Sequence, residues 1–218
     1  MLNTITLNGQ TVSIVASPTC IALRSIELSG SDSVAIVTSP FSGQTQAQQW
    51  PGADWWSGTA TLPPLTQDQA DEWLSFLMEC RGMTNPFLMG DPLKSSPRGS
   101  VTSASVPVVD MSVTTLNQVG NQVLYTKGWL PNAFSLLLPG DYLQIGYRLH
   151  RCLDRVNSDA NGKASFSIFP SLRDLPADGQ PIILNNPQGL FRRGSNKMTW
   201  SSDYTGLTNL SFPLIEYR

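Results

Sequence analysis

Only one stretch of this chain, residues 66–82, carries the 3.6-residue periodicity of a helix; the remainder alternates or breaks as strands and turns do. Thr66 follows Pro63-Pro64 and suits an N-cap, Gln69 occupies the capping-box position, and Asp68 places negative charge in the first turn. Ala70, Trp73, Leu77 and Cys80 then recur on one face with Phe76 beside them, and Gly82, after Arg81, is the expected left-handed stop. A lone amphipathic helix has no second helix to cover it. The five residues Ala70, Trp73, Phe76, Leu77 and Cys80 are therefore predicted to dock on a sheet, and the fold class is mainly β with one helix.

Strand patterns precede the helix at Thr4–Leu7, Gln10–Val15, Ile21–Leu28 and Ser33–Thr38, with Asn8-Gly9 as a hairpin turn between the first two. A turn-rich segment follows, and then a two-sided strand. Trp55, Ser57, Thr59 and Thr61 share one face of it, and Trp56, Gly58, Ala60 and Leu62 the other. Residues 85–105 change to Pro- and Gly-rich linker chemistry. Beyond them strands are predicted at Val106–Val113, Gln122–Thr126, Asp141–Ile145, Arg148–Val156 and Ala164–Phe169, with Asn161-Gly162 as a hairpin turn between the last two. This middle region suits a small β-barrel or sandwich. The pattern changes again near Leu184, and strands within Gly189–Ser202 and Asn209–Tyr217 are free to return to the first sheet. The organisation predicted is a domain of residues 1–98 and 184–218, with residues 100–183 inserted as a second β domain.

The surface chemistry narrows the function. Only 14% of residues are charged, against about a quarter in an ordinary soluble protein, and the net charge is −2. Neutral polar faces meet other protein surfaces without desolvating charge, whereas a non-specific nucleic-acid grip needs a basic footprint that is absent. Six Trp, eight Phe and five Tyr argue against disorder in a chain with 17 Gly and 16 Pro. Cys20, Cys80 and Cys152 lie about 60 and 70 residues apart, fit neither a zinc nor a disulfide pattern, and are expected to be buried thiols. The N-terminal stretch lacks a signal-peptide pattern, and no apolar run approaches the roughly 18 residues of a membrane span, so folding in the cytoplasm without membrane insertion is expected.

Catalytic constellations are weak. The sole histidine, His150, shares a predicted strand face with Arg148, Cys152 and Asp154; a general-base role beside Cys152 competes with a partly exposed, hydrogen-bonded strand histidine. Asp68, Asp71, Glu72 and Glu79 read as a solvated helix face, and Asp154, Asp159 and Asp174 as turn and strand-end residues. NSDANG at 157–162 is a loose fragment of a calcium loop without its downstream Glu, so a turn is expected. Neither G-x-S-x-G nor a phosphate-cradling glycine loop occurs. No catalytic residue, cofactor or metal is expected. Trp50, Trp55 and Trp56 are the candidate surface aromatics, for subunit contacts or for stacking on sugar rings, with core packing as the alternative.

The ordered segments FLMGDPLKSSPRG (87–99), LLPGDYLQIG (137–146), RLHRCLDRVNSDANGKASFSIFPSLR (148–173) and GLFRRGSNKMTWSSD (189–203) resemble the distal tail proteins of siphophages, over roughly residues 60–218. The resemblance implies a tail-tube-like β-sandwich plus helix that forms a hexameric ring, with the middle segment as a peripheral OB-like or galectin-like module. It implies a virion tail-tip location. Partners would be other copies of the chain, the tail tube protein, the tail-tip hub protein and the tape-measure protein, with DNA only in transit. A carbohydrate-binding module for host-surface recognition is the alternative, and a cell-wall hydrolase a third reading.

Overall fold

A computed structural model describes residues 3–7, 9–102, 105–112, 120–204 and 206–218. In chain order its first strands are β1 (Asn3–Leu7), β2 (Gln10–Ile14), β3 (Ser25–Ser31), β4 (Val34–Thr38), β5 (Thr45–Gln49) and β6 (Trp55–Thr61), followed by helix α1 (Gln67–Glu79) and β7 (Phe87–Met89). Next come β8 (Val108–Val109), β9 (Val123–Lys127), β10 (Tyr142–Ile145), β11 (Arg148–Cys152), β12 (Ala164–Phe169) and β13 (Ile182–Ile183). The chain closes with β14 (Gly189–Arg193), β15 (Trp200–Ser202) and β16 (Thr208–Glu216). The protein is mainly β, with one α-helix among the described residues.

Two larger sheets organise these strands. The first runs β3-β6-β16-β14-β7, with β15 also on β16, and so draws from both ends of the chain. Its β7 and β14 are antiparallel neighbours, Met89 opposite Gly189 and Phe87 opposite Phe191, although about a hundred residues separate them in sequence. The second sheet, β13-β10-β11-β12-β9-β8, uses only strands from within that interval. Its ends meet: Val108 bridges to Pro181, Val109 N–H donates to Gln180 O at 2.9 Å, and Ile182 N–H donates to Pro107 O at 3.0 Å. Six strands thus come close to a closed barrel, which removes the exposed edges an open sheet would leave.

Alternation along β16 explains how the helix docks. Thr208, Leu210, Phe212, Leu214 and Glu216 point inward while the residues between them do not, as the two-residue period of a strand requires. Ala70, Trp73, Phe76, Leu77 and Cys80 of the helix are all buried against this face, in one cluster with Phe87, Phe191, Phe212 and Leu214. Gln69 Oε1 accepts the Thr66 N–H at 3.1 Å, which closes the first turn. The last turn carries no basic residue of its own. Arg193, arriving from β14, donates there to Leu77 O at 3.4 Å and supplies the positive charge that a helix C-terminus favours. A second cluster, including Leu124, Trp129, Leu143, Phe166 and Ile168, fills the barrel.

Several local expectations are corrected. The left-handed exit from the helix begins at Arg81 (φ 48°) and continues through Gly82 (φ 69°), so it starts one residue early. β3 begins at Ser25 rather than Ile21, because its pairing with β6 starts at Ser25 opposite Thr61. β5, within a segment read as turns, is a strand paired to β4. Asn161-Gly162 does sit in a tight turn, Gly162 N–H donating to Asp159 O at 3.1 Å and Asp159 N–H to Lys163 O at 2.9 Å, but the strands on either side pair with each other only at their far ends. β11 ends at Cys152 and meets β12 only through Arg151–Phe169 and Cys152–Ile168, whereas the rest of β12 pairs with β9. Cys20 is exposed; Cys80 and Cys152 are buried. Asn8 of the first hairpin turn and Val113 of the expected Val106–Val113 strand lie outside the described residues.

Candidate functional site

Strands β3 and β6 continue past the sheet as β4 and β5. Trp50 N–H still donates to Ser33 O at 3.1 Å, and the pairing then runs from Val34–Gln49 to Thr38–Thr45. At about 3.3 Å per residue this makes a two-stranded arm extending roughly 15–20 Å. Its tip is closed by Ser39 N–H to Gln44 O (2.8 Å), by Gly43 N–H to Ser39 O (3.0 Å), and by Gly43 at φ 67°.

Every residue of β4 and β5 is exposed. Ile36 and Val37 are 66% and 68% accessible, Phe41 at the tip is 98%, and Trp50 at the base is 69%. No charged residue occurs between Asp32 and Asp54. An isolated two-stranded hairpin is at best marginally stable in water, and here Ile36 and Val37 on opposite faces of the arm, Phe41 at its tip and Trp50 at its base are all open to solvent.

The arm is anchored by a polar network between the two sheets. The Asp54 carboxylate accepts from Ser171 N–H and from Ser171 Oγ–H. Arg173 Nε donates to Gly52 O at 3.0 Å, and its Nη2 donates to Asp54 O. Behind them Glu216 Oε2 accepts the Trp56 N–H at 3.0 Å, while Arg148 and Arg173 approach the same carboxylate at 3.5 and 3.8 Å. Arg148 Nε also donates to Asp174 Oδ2 at 3.1 Å. Burial pushes the Glu216 carboxyl above its usual range, and the two guanidiniums oppose that.

Trp56 sits in this junction. It is 4% exposed, its Nε1–H donates to Leu149 O at 3.0 Å, and its ring meets Phe169 edge-on at 4.9 Å. It is therefore core and unavailable to a partner or sugar, because β6 turns that face inward. Trp55, on the opposite face, is half-buried and covered by the Arg218 guanidinium 3.7 Å from its ring centre. Of the three sequence candidates, Trp50 alone is fully displayed.

His150 is 2% exposed, which corrects the partly exposed reading. It lines a cavity of about 260 Å³ together with Arg148, Arg173 and Asp174. Its Nδ1–H donates to the Pro170 carbonyl at 2.7 Å, so Nε2 carries the lone pair, and burial pushes the imidazole down to about 4. Cys152 is turned into the barrel cluster, its thiol donating to Asp154 O at 3.1 Å and pushed by burial up to about 11. The pairing of base and nucleophile that a cysteine mechanism needs is not formed. The carboxylates serve backbone: Asp159 Oδ1 accepts from Asn161 and Lys163 N–H at 2.8 and 2.7 Å, and Asp154 Oδ2 from Ser167 N–H at 2.7 Å.

Sequence reasoning missed the arm and its anchor. A charge-free run of about twenty residues flanked by two Asp was the available signal for the first. For the junction it was Glu216, which alternation places on the same inward face as Leu210, Phe212 and Leu214. Compared with known proteins, the sequence matches no family model and no curated protein.

Proposed function

We propose that this chain is a structural subunit of the distal tail of a long-tailed bacteriophage, which assembles into a ring, joins the tail tube to the tip hub and lets DNA pass. The observation that carries the reading is the arm: an exposed, uncharged hairpin with Ile36, Val37, Phe41 and Trp50 open to solvent, tied at its base by the Asp54, Ser171 and Arg173 hydrogen bonds. A ring repeats one heterologous contact, so each subunit must offer two different patches, and a projecting arm on one subunit meeting the body of the next is such a contact. The resemblance of residues 87–99, 137–146, 148–173 and 189–203 to distal tail proteins supplies the identity of the ring. A net charge of −2 suits a conduit, because a basic lumen would retain the phosphate backbone.

In such an assembly the tail tube protein, the hub protein and the tape-measure protein are the neighbours, and the site of action is the virion tail tip. Among the described residues no helix is long and apolar enough to cross a membrane. Light scattering tests the proposal. A mass that is a multiple of the subunit, either for the chain alone at high concentration or on mixing with tube and hub proteins, supports it; monomer in all these mixtures contradicts it.

A further inference from the structure

We propose that His150 is an acid-sensitive clasp on the joint between the two sheets, and that its protonation loosens the hold of residues 170–173 on the base of the arm. The side chain stands on β11 and is 2% exposed. Its Nδ1–H donates to the Pro170 carbonyl at 2.7 Å. That carbonyl begins the segment whose next residues grip the arm: Ser171 gives its N–H and hydroxyl to Asp54, and Arg173 gives its guanidinium to the carbonyls of Gly52 and Asp54. One hydrogen bond thus fixes the barrel end of a chain of contacts that reaches the start of β6. This clasp lies within a single subunit, so it stands or falls apart from ring assembly.

The neutral ring fits this place and the charged ring does not. Nε2 is buried and has no partner among the described residues. A second proton there is a donor without an acceptor, which costs free energy. The charges around the ring add to the mismatch: Arg148 from β11 and Arg173 from the segment after β12 act on it as positive charges, opposed by Asp54 from the arm base. Asp174 lines the same cavity of about 260 Å³ and is engaged with Arg148, and the first hairpin brings only Thr6 and Leu7 to it. Burial foremost pushes the imidazole down to about 4. With that cavity at its side, the ring takes up a proton by swinging away from Pro170 and hydrating. Glu216 acts with the opposite sign. Burial raises its carboxyl, so its proton binds first to the closed joint and favours closure.

Linkage sets the size of the effect. An open joint binds the proton with the ordinary histidine affinity, near 6.5, and the closed joint only near 4, so the opening constant rises about tenfold per pH unit below 6.5, to roughly 300-fold by pH 4. His150 is the chain's one histidine, so its imidazole nitrogens give an unambiguous magnetic resonance signal in the tag-free full chain. Amide hydrogen exchange, corrected for its intrinsic pH dependence, reads the opening. The Ser171 and Trp56 amides, bonded to Asp54 and Glu216, should exchange faster than those of buried Leu62 and Leu77 and lose protection about tenfold per unit below pH 6.5. His150→Gln, which keeps a donor for the Pro170 carbonyl, should flatten that slope, and His150→Asn takes its place should the first variant not fold. The clasp is overturned if the imidazole titrates near 6.5 while both amides stay protected, if both exchange no faster than Leu62 and Leu77, or if the slope survives in the variant.

Discussion

Trp73 lies edge-on to Phe76, 5.6 Å between ring centres, and 6.2 Å from Phe212 of the sheet, so it joins helix to strand by aromatic contact as well as by area. Trp73→Ala should cost about 3–5 kcal/mol, seen as a lower urea midpoint with the slope unchanged. His150 gives a pH signature. Its imidazole is held near 4 from an ordinary 6.5. Above pH 6.5 the ring is neutral in both states and contributes nothing; between 6.5 and 4 the unfolded chain takes up a proton that the folded chain refuses. Stability should therefore fall with acidification across that window, by up to about 3 kcal/mol. Glu216 has the opposite sign: its raised carboxyl binds a proton first in the folded state, a contribution present below the unfolded value and lost as pH rises through the folded one. Comparing unfolding of the wild type and His150→Gln from pH 7 to 4 isolates the histidine, and the variant should show the shallower decline. The buried state of His150 could not be read from YRLHRCLD, since alternation gives a face but not what covers it.

The helix was legible because its cap, its charged first turn and its apolar stripe all agree. β5 was not: TQAQQ has no apolar alternation, and it is a strand only because β4 supplies a partner in register. The Asn161-Gly162 pair marked a turn that forms, but not how far the strands beside it pair: β12 meets β11 only at its end and β9 along the rest. The arm itself predicts a separation of effects. Ile36→Asp with Phe41→Asp should prevent assembly while leaving the unfolding midpoint of the subunit within about 0.5 kcal/mol, since neither side chain touches the core. Sedimentation and urea unfolding of the same sample check both halves; a large loss of stability would place the arm inside the fold of the subunit instead.

At the scale of the molecule, the return of the C-terminal strands to the first sheet was visible in the strand patterning, but the polar joint between the sheets was not, because no local pattern announces a partner over a hundred residues away. Ser171 and Arg173 reach Asp54 across 117 and 119 residues, and Arg148 reaches Glu216 across 68. Removing one member leaves the other with part of its partners, Asp174 for Arg148 and Arg173 for Glu216, so Glu216→Ala and Arg148→Ala should each cost about 1–3 kcal/mol. The double variant should cost clearly less than their sum, and a double-mutant cycle on unfolding free energies measures the coupling. The proposed ring would need this joint to keep the arm aimed at the next subunit. Electron microscopy of the purified chain at high concentration, class-averaged beside the Ile36→Asp, Phe41→Asp variant, tests that claim most directly. Closed rings of one diameter for the native chain and single particles for the variant are the predicted result; rings in both, or rings in neither even with tube and hub proteins present, would contradict it.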